Sequence, residues 1–121
     1  LKEELRGVLD DIAADLVADD VPAVLEHLSP SAEDIRRKAG RVLKRVRVDR
    51  VSVKPNLKVV PKNGNPDHVV ATLNAVAVGS ERRGSIQDQP SPQFFTIEFV
   101  KEGQAWKILD YDRQSPQKGL Q

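Results

Sequence analysis

The sequence predicts an α+β domain with helices in its first third and an antiparallel sheet in the rest. In residues 3–18, apolar side chains recur at helical spacing and form one stripe, namely Leu5, Leu9, Ile12 and Leu16. From residue 46 onward the period changes to the alternation that is typical of strands. A chain of 121 residues with 39% apolar content is expected to form a single domain spanning residues 1–121.

The elements follow from local signals along the chain. Asp20 and Pro22 predict the start of a second helix, because Asp caps free N–H groups and Pro fits a first turn. Helices are predicted at about 3–18, 21–28 and 32–45. Strands are predicted at about 46–54, 57–61, 68–79, 94–100 and 105–111. Both faces of the third strand are mostly apolar, so we expect it to be central. Residues 62–67 are predicted to be a turn, residues 80–92 a polar loop and residues 113–121 a frayed tail.

Composition excludes several kinds of site. The chain has no cysteine, so disulfides, thiolate catalysis and cysteine-bound metals are excluded. His27 and His68 have no neighbours at metal-ligand spacing, so we expect neither a metal nor a cofactor. The net charge of +1 conceals two blocks. Residues 1–34 carry ten acids against two bases, and residues 35–62 carry eleven bases against one acid.

The closing hairpin predicts a pocket face. A loop at 101–104 that pairs Val100 with Ala105 places six side chains on one face, namely Phe95, Ile97, Phe99, Trp106, Ile108 and Asp110. In this register Phe95 lies opposite Asp110, so a carboxylate ends an otherwise apolar face, as is typical of a desolvated general base. The alternative is that Asp110 is an exposed strand terminus. A loop of three residues would break this register.

Two segments resemble a known superfamily. Residues 17–28 (VADDVPAVLEHL) and 95–111 (FTIEFVKEGQAWKILDY) are similar to the helix junction and closing hairpin of nuclear transport factor 2-like proteins. That superfamily includes ketosteroid isomerases, polyketide cyclases and many small bacterial domains. The resemblance implies a cone with a pocket between the long helix and the concave sheet face, and many members are dimers through the sheet.

The resemblance does not supply a catalytic base. Isomerase-like members place an Asp, often before Pro, just after the short helices. Here residues 31–47 have acids only at the start of a helix, Glu33 and Asp34, and are otherwise strongly basic.

The basic block is the strongest signal in the composition. If residues 32–45 are helical, four cations share a face, namely Arg37, Arg41, Lys44 and Arg45. Such a face can bind a phosphate backbone or an anionic lipid. It has no aromatic side chain for stacking on single strands. The alternative is a solvated surface, or one that complements the acidic first helix or a partner.

These patterns lead to three functional hypotheses. The first is a non-catalytic ligand-binding or protein-interaction module, with a small molecule or a protein as partner and a homodimer through the sheet. Its pocket candidates are Phe95, Phe99, Trp106, Asp110 and Tyr111. The second is an isomerase, cyclase or dehydratase with Asp110 as base. The third is electrostatic binding of nucleic acid or anionic membrane through residues 36–50. Since the sequence begins at Leu1 and not at Met, we expect an exported or membrane-tethered bacterial protein that has lost its leader, with a cytoplasmic protein as the alternative.

Overall fold

Three helices come first, as the apolar spacing predicts. The computed structural model describes residues 1–54, 56–83 and 91–114, and its helices are α1 (Lys2–Val17), α2 (Val21–Glu26) and α3 (Glu33–Arg45). The Asp20 side chain caps α2 by accepting a hydrogen bond from the Ala23 N–H, and Pro22 lies in its first turn. Helix α2 ends two residues earlier than predicted because residues 27–29 bond to the last strand instead. Among the described residues, no helix is long and apolar enough to span a membrane.

Five antiparallel strands form one curved sheet, in agreement with the predicted fold class. They are β1 (Val46–Val53), β2 (Lys58–Lys62), β3 (Asn65–Glu81), β4 (Ser91–Glu102) and β5 (Ala105–Gln114). The strand order is β1-β3-β4-β5, and β2 pairs with the first half of β3. The second half of β3 pairs with β1, so β3 has neighbours on both edges and is central, as its two apolar faces predict.

The third, fourth and fifth strands are longer than predicted. The turn between β2 and β3 is only Asn63-Gly64, both with positive φ (53° and 74°), which is the conformation of a two-residue hairpin turn. Strand β3 runs to Glu81, β4 begins at Ser91 and β5 ends at Gln114. Residues 80–81 and 91–92, predicted to be loop, therefore belong to strands. Residues 113–114, predicted to be tail, also belong to a strand. Residues 84–90 and 115–121 lie outside the described part of the chain.

The core lies between α1 and one face of the sheet, called here the concave face. The α1 side chains Leu5 and Leu9 are 0% and 5% exposed. They belong to one buried cluster that also contains Val69, Ala71, Leu73, Phe99 and Ile108 from the sheet. Ala71, in the middle of β3, is 0% exposed within this cluster. The space that could hold a pocket is therefore filled by α1 around Phe99.

Polar contacts anchor α3 to the rest of the domain. Arg82, just after β3, donates a hydrogen bond from Nε to the Leu43 carbonyl (2.8 Å) and binds the Asp19 carboxylate with two guanidinium nitrogens. The hydrogen bonds from Arg82 hold the pKa of Asp19 below its usual value. Arg36 of α3 donates to the Leu25 and Leu28 carbonyls. Helix α3 is thus held by its backbone and by Arg36, and these contacts do not use the side chains of Lys38, Arg41, Lys44 or Arg45.

Candidate ligand site

The closing hairpin has a different register from the predicted one. Its loop is the two-residue turn Gly103-Gln104, with Gly103 at φ 63°, so Glu102 pairs with Ala105. Phe99 therefore lies opposite Ile108, and not opposite Trp106. A β-bulge follows, because the next pair joins Glu98 to Asp110 and leaves Leu109 as the extra residue. The predicted pair of Phe95 with Asp110 was wrong, and Phe95 lies opposite Arg113.

The bulge exchanges the faces of Asp110 and Tyr111. An extra residue in one strand reverses the alternation beyond it, so Asp110 turns to the outer face and is exposed. Tyr111 takes the concave position, opposite the buried Ile97, and packs against the core cluster. The interpretation of Asp110 as a base in a closed pocket was therefore wrong. Its backbone neighbour Tyr111 occupies that place.

Just before the bulge, β5 is hydrogen-bonded to the residues that follow α2. Ile108 donates its N–H to the His27 carbonyl and accepts a hydrogen bond from the Ser29 N–H, each at 2.8 Å. Ser29 is itself 0% exposed, and its hydroxyl donates to Glu102 at 2.6 Å. These bonds fix β5 just before the extra residue. They join residues about 80 positions apart in sequence, so local patterns could not reveal them.

The predicted pocket residues separate into core and rim. Phe99 (0% exposed) and Trp106 (6%) are core side chains. Trp106 donates from Nε1 to a Glu4 carboxylate oxygen at 3.3 Å, and the ammonium of Lys101 lies 5.8 Å from the centroid of its ring. Phe95 and Tyr111 are half-buried at the edge of the cluster. Only these two of the predicted set remain accessible on the concave face.

A third rim residue was not predicted. Arg113 lies opposite Phe95 and two residues after Tyr111, so all three share the concave face. We call Phe95, Tyr111 and Arg113 the rim cluster. Within the described residues, neither the Tyr111 hydroxyl nor the Arg113 guanidinium has a hydrogen-bond or ion-pair partner. Sequence analysis could have found Arg113 only by placing the bulge, because simple alternation from Trp106 and Ile108 puts residue 113 on the outer face.

Burial raises the pKa of Tyr111, while the nearby charge of Arg113 works in the opposite direction. Because the shift is upward, the phenol is neutral at neutral pH and can donate a hydrogen bond to an anion. The folded state holds this proton more tightly than the unfolded state does. Its contribution to stability is therefore complete below the ordinary tyrosine pKa and is lost as the pH rises through the raised value.

Titration of the phenol checks this environment, since the chain has a single tyrosine. We expect the phenolate absorbance of the folded protein to have its midpoint above about 10, the ordinary tyrosine value. In urea the midpoint should return to the ordinary value. The Arg113→Gln variant should titrate at still higher pH, because it removes the charge that favours phenolate. A folded-state midpoint at or below the urea value would show that Tyr111 is not desolvated.

Each of the two histidines contacts a carboxylate. His27 Nε2 lies 3.0 Å from an Asp15 carboxylate oxygen. His68 contacts Glu98 on the outer sheet face, and the Lys62 ammonium is 3.2 Å from the same carboxylate. Burial works to raise the pKa of Glu98, but the hydrogen bonds from His68 and Lys62 outweigh it, so this pKa lies below its usual value. No group of three potential metal ligands comes together in the part of the chain that the structure describes.

The predicted basic residues lie on α3 as expected, but they differ in their partners. Arg37 is 3.5 Å from Asp34 in an exposed ion pair. Arg41, Lys44 and Arg45 are exposed and have no acidic partner among the described residues. Lys38 belongs to the basic block but not to the predicted face. It is also exposed and has no acidic partner among the described residues.

Comparison of the whole fold with solved structures gives consistent matches. A ketosteroid isomerase-like protein from Erwinia carotovora atroseptica superposes with a TM-score of 0.69 over 95% of this chain and 97% of its own, at 14% identity. A candidate aromatic ring hydroxylase from Novosphingobium aromaticivorans gives a TM-score of 0.73 over 95% and 88% of the two chains, also at 14% identity. A candidate dehydratase of the NTF2-like family from Streptomyces avermitilis gives 0.65 over 93% of each chain, at 9% identity.

This chain has the nuclear transport factor 2-like fold. The resemblance inferred from its helix junction and closing hairpin is confirmed at the level of fold. No protein-family model and no curated protein sequence matches the chain. The similar structures carry several different functions in their names, so the fold leaves the activity of this nuclear transport factor 2-like domain to be argued from its own residues.

Proposed function

We propose that this domain is a binding module for a small organic anion with a flat apolar body. The observation that carries the proposal is the rim cluster, in which a phenol and a guanidinium without hydrogen-bond partners among the described residues lie on the concave face beside Phe95. A guanidinium binds carboxylate with two parallel hydrogen bonds, and a neutral phenol can add a third donor. The half-buried Phe95 ring offers a face for stacking.

Non-catalytic binding is favoured over turnover by the residues of this face. From Gln93 to Phe99 and from Trp106 to Arg113, the described concave side chains include no carboxylate and no imidazole. The strand carboxylates nearest to the rim cluster, Asp110 and Asp112, alternate to the outer face. A general base must come within hydrogen-bond reach of its proton, and these groups point away. The raised pKa of Tyr111 makes it a donor and not a base at neutral pH.

The proposal is tested with 2-naphthoate, whose ring and carboxylate match the rim cluster. We expect isothermal titration calorimetry to show weak binding that falls about tenfold or more in Arg113→Gln, because a charge-assisted hydrogen bond contributes about 1.5–3 kcal/mol. Tyr111→Phe should weaken binding about tenfold, because a hydrogen bond from the phenol to a carboxylate is also charge-assisted. The neutral amide of the same ring should bind the wild type about as weakly as 2-naphthoate binds Arg113→Gln.

A matched variant controls for charge alone. Lys58→Gln removes one positive charge from an exposed position on β2, away from the rim cluster. Its affinity for 2-naphthoate should equal that of the wild type. Equal losses in Arg113→Gln and Lys58→Gln would contradict the site, because the effect would then come from net charge.

A further inference from the structure

A second surface of the molecule lies on α3 and is strongly cationic. Its exposed side chains Lys38, Arg41, Lys44 and Arg45 are called here the α3 basic face. At 1.5 Å per residue, they span about 10 Å along the helix axis. Their angular positions fall on one side of the helix, opposite the stripe of Ile35 and Ala39 that packs on the core. Four cations are therefore presented together on a rigid element.

Within the part of the chain that the structure describes, no acid neutralises the α3 basic face. Arg36 donates to backbone carbonyls, Arg37 pairs with Asp34, and Arg82 pairs with Asp19. By contrast, no acid or carbonyl among the described residues binds the side chains of the α3 basic face. The whole chain has a net charge of only +1, so an anion would be attracted by this local face and not by the overall charge.

The shape of this surface indicates what kind of anionic partner it can bind. One open groove of about 560 Å³ is lined by the whole α3 basic face together with Val42. A second groove of about 540 Å³ is lined by Lys44, Arg45 and Val46, with Glu81 and Arg83 from the end of β3. Lys44 and Arg45 line both grooves, so the basic side chains are presented over an extended open surface and not in one enclosed site. Cationic side chains spread over an open surface can contact successive phosphates of a nucleic-acid backbone.

The scarcity of apolar side chains on this surface argues against single-stranded nucleic acid and against a membrane as the partner. Val42, 39% exposed, is the large apolar side chain of the first groove. No aromatic side chain lines either groove, and stacking on aromatic rings is what usually holds single-stranded nucleic acid. A helix that lies in a membrane interface usually inserts Trp, Phe or Leu, and the exposed side of α3 has none of these. What the surface offers is contact with phosphates.

We propose that the α3 basic face binds the phosphate backbone of double-stranded DNA. Arginine and lysine contacts to phosphates provide affinity without reading sequence. With four contacts, the logarithm of the binding constant should fall with the logarithm of salt concentration at a slope of about −4. This surface is distinct from the rim cluster, so each can be tested while the other stays intact.

Fluorescence anisotropy with a labelled mixed-sequence duplex of about 20 base pairs tests the proposal between about 50 and 200 mM salt. We expect Arg41→Glu/Arg45→Glu to lose at least about 30-fold in affinity at the low-salt end and to flatten the slope by about 2. The control Lys54→Glu/Lys58→Glu makes the same change in net charge at exposed positions outside α3. It should bind within about threefold of wild type. Trp106 fluorescence verifies that both variants are folded.

Four results would overturn the proposal. Equal losses in the two double variants would mean that only net charge matters. Tighter binding to a single strand of the same length would contradict duplex recognition. Binding to phosphatidylserine vesicles that displaces the duplex and is lost in Arg41→Glu/Arg45→Glu would identify a membrane surface instead. A wild-type protein that does not bind the duplex at the lowest salt concentration would end the proposal directly.

Discussion

Phe99→Ala is expected to lower the free energy of unfolding by about 3–5 kcal/mol, the usual cost of removing a large buried aromatic side chain. Phe99 is 0% exposed and lies in the cluster that joins α1 to the sheet. A domain of this size has only about 5–15 kcal/mol of stability in total, so the variant should unfold at a much lower urea concentration. The single tryptophan, Trp106, is buried and reports the transition by its fluorescence.

Phe94→Ala is the matched control for this measurement. Phe94 precedes Phe95 on β4, faces the outer side of the sheet and is 44% exposed. The same truncation there should cost about 1 kcal/mol or less, because little buried area is lost. Equal destabilisation by the two variants would mean that Phe99 is not at the centre of the core and that the concave face is packed differently.

Leu5→Ala is expected to cost about 2–5 kcal/mol, since the alanine would leave a cavity between α1 and the sheet. Leu5 is 0% exposed and is the α1 side chain most completely covered. Urea unfolding followed by circular dichroism gives the change in free energy. This variant tests whether α1 fills the concave face around Phe99, which restricts a ligand to the rim cluster.

The control for Leu5→Ala is Val17→Ala at the other end of the same helix. Val17 is 39% exposed, and alanine has the higher helix propensity, so the free energy of unfolding should change by less than about 0.5 kcal/mol. If Leu5→Ala also changed stability by less than this amount, the space beneath α1 would be open and not packed. The concave face could then hold a ligand along its whole length.

The helices and the positions of the strands along the chain could be predicted because each depends on a local period. The spacing of Leu5, Leu9 and Ile12 predicts the face of α1 that packs on the sheet, and two of these side chains are fully buried. Alternation also placed Phe95, Phe99 and Trp106 on the concave side, as the structure confirms. Such patterns are sufficient to predict which face packs on the core where one face of a helix or strand is buried and the other is solvated.

The candidate site could not be predicted because it depends on one extra residue. The bulge at Leu109 reverses the alternation of β5, so it brings Tyr111 and Arg113 to the concave face and turns Asp110 outward. Ile108, which precedes the extra residue, is hydrogen-bonded to the backbone of His27 and Ser29. Local sequence patterns do not reveal these bonds, because the partners are far apart in the chain. The predicted strand ends were too early for a related reason, since cross-strand pairing extended the ladder into polar residues.

The rim cluster is tested most directly by following the backbone amides of the ¹⁵N-labelled protein by nuclear magnetic resonance during titration with 2-naphthoate. We expect the largest chemical-shift changes at Phe95, Tyr111 and Arg113, with the same changes much reduced in Arg113→Gln. Changes confined to α3, at Lys38, Arg41 and Arg45, would contradict the site, because the anion would then bind the basic helix. Changes centred on Asp110 and the outer sheet face would contradict it equally.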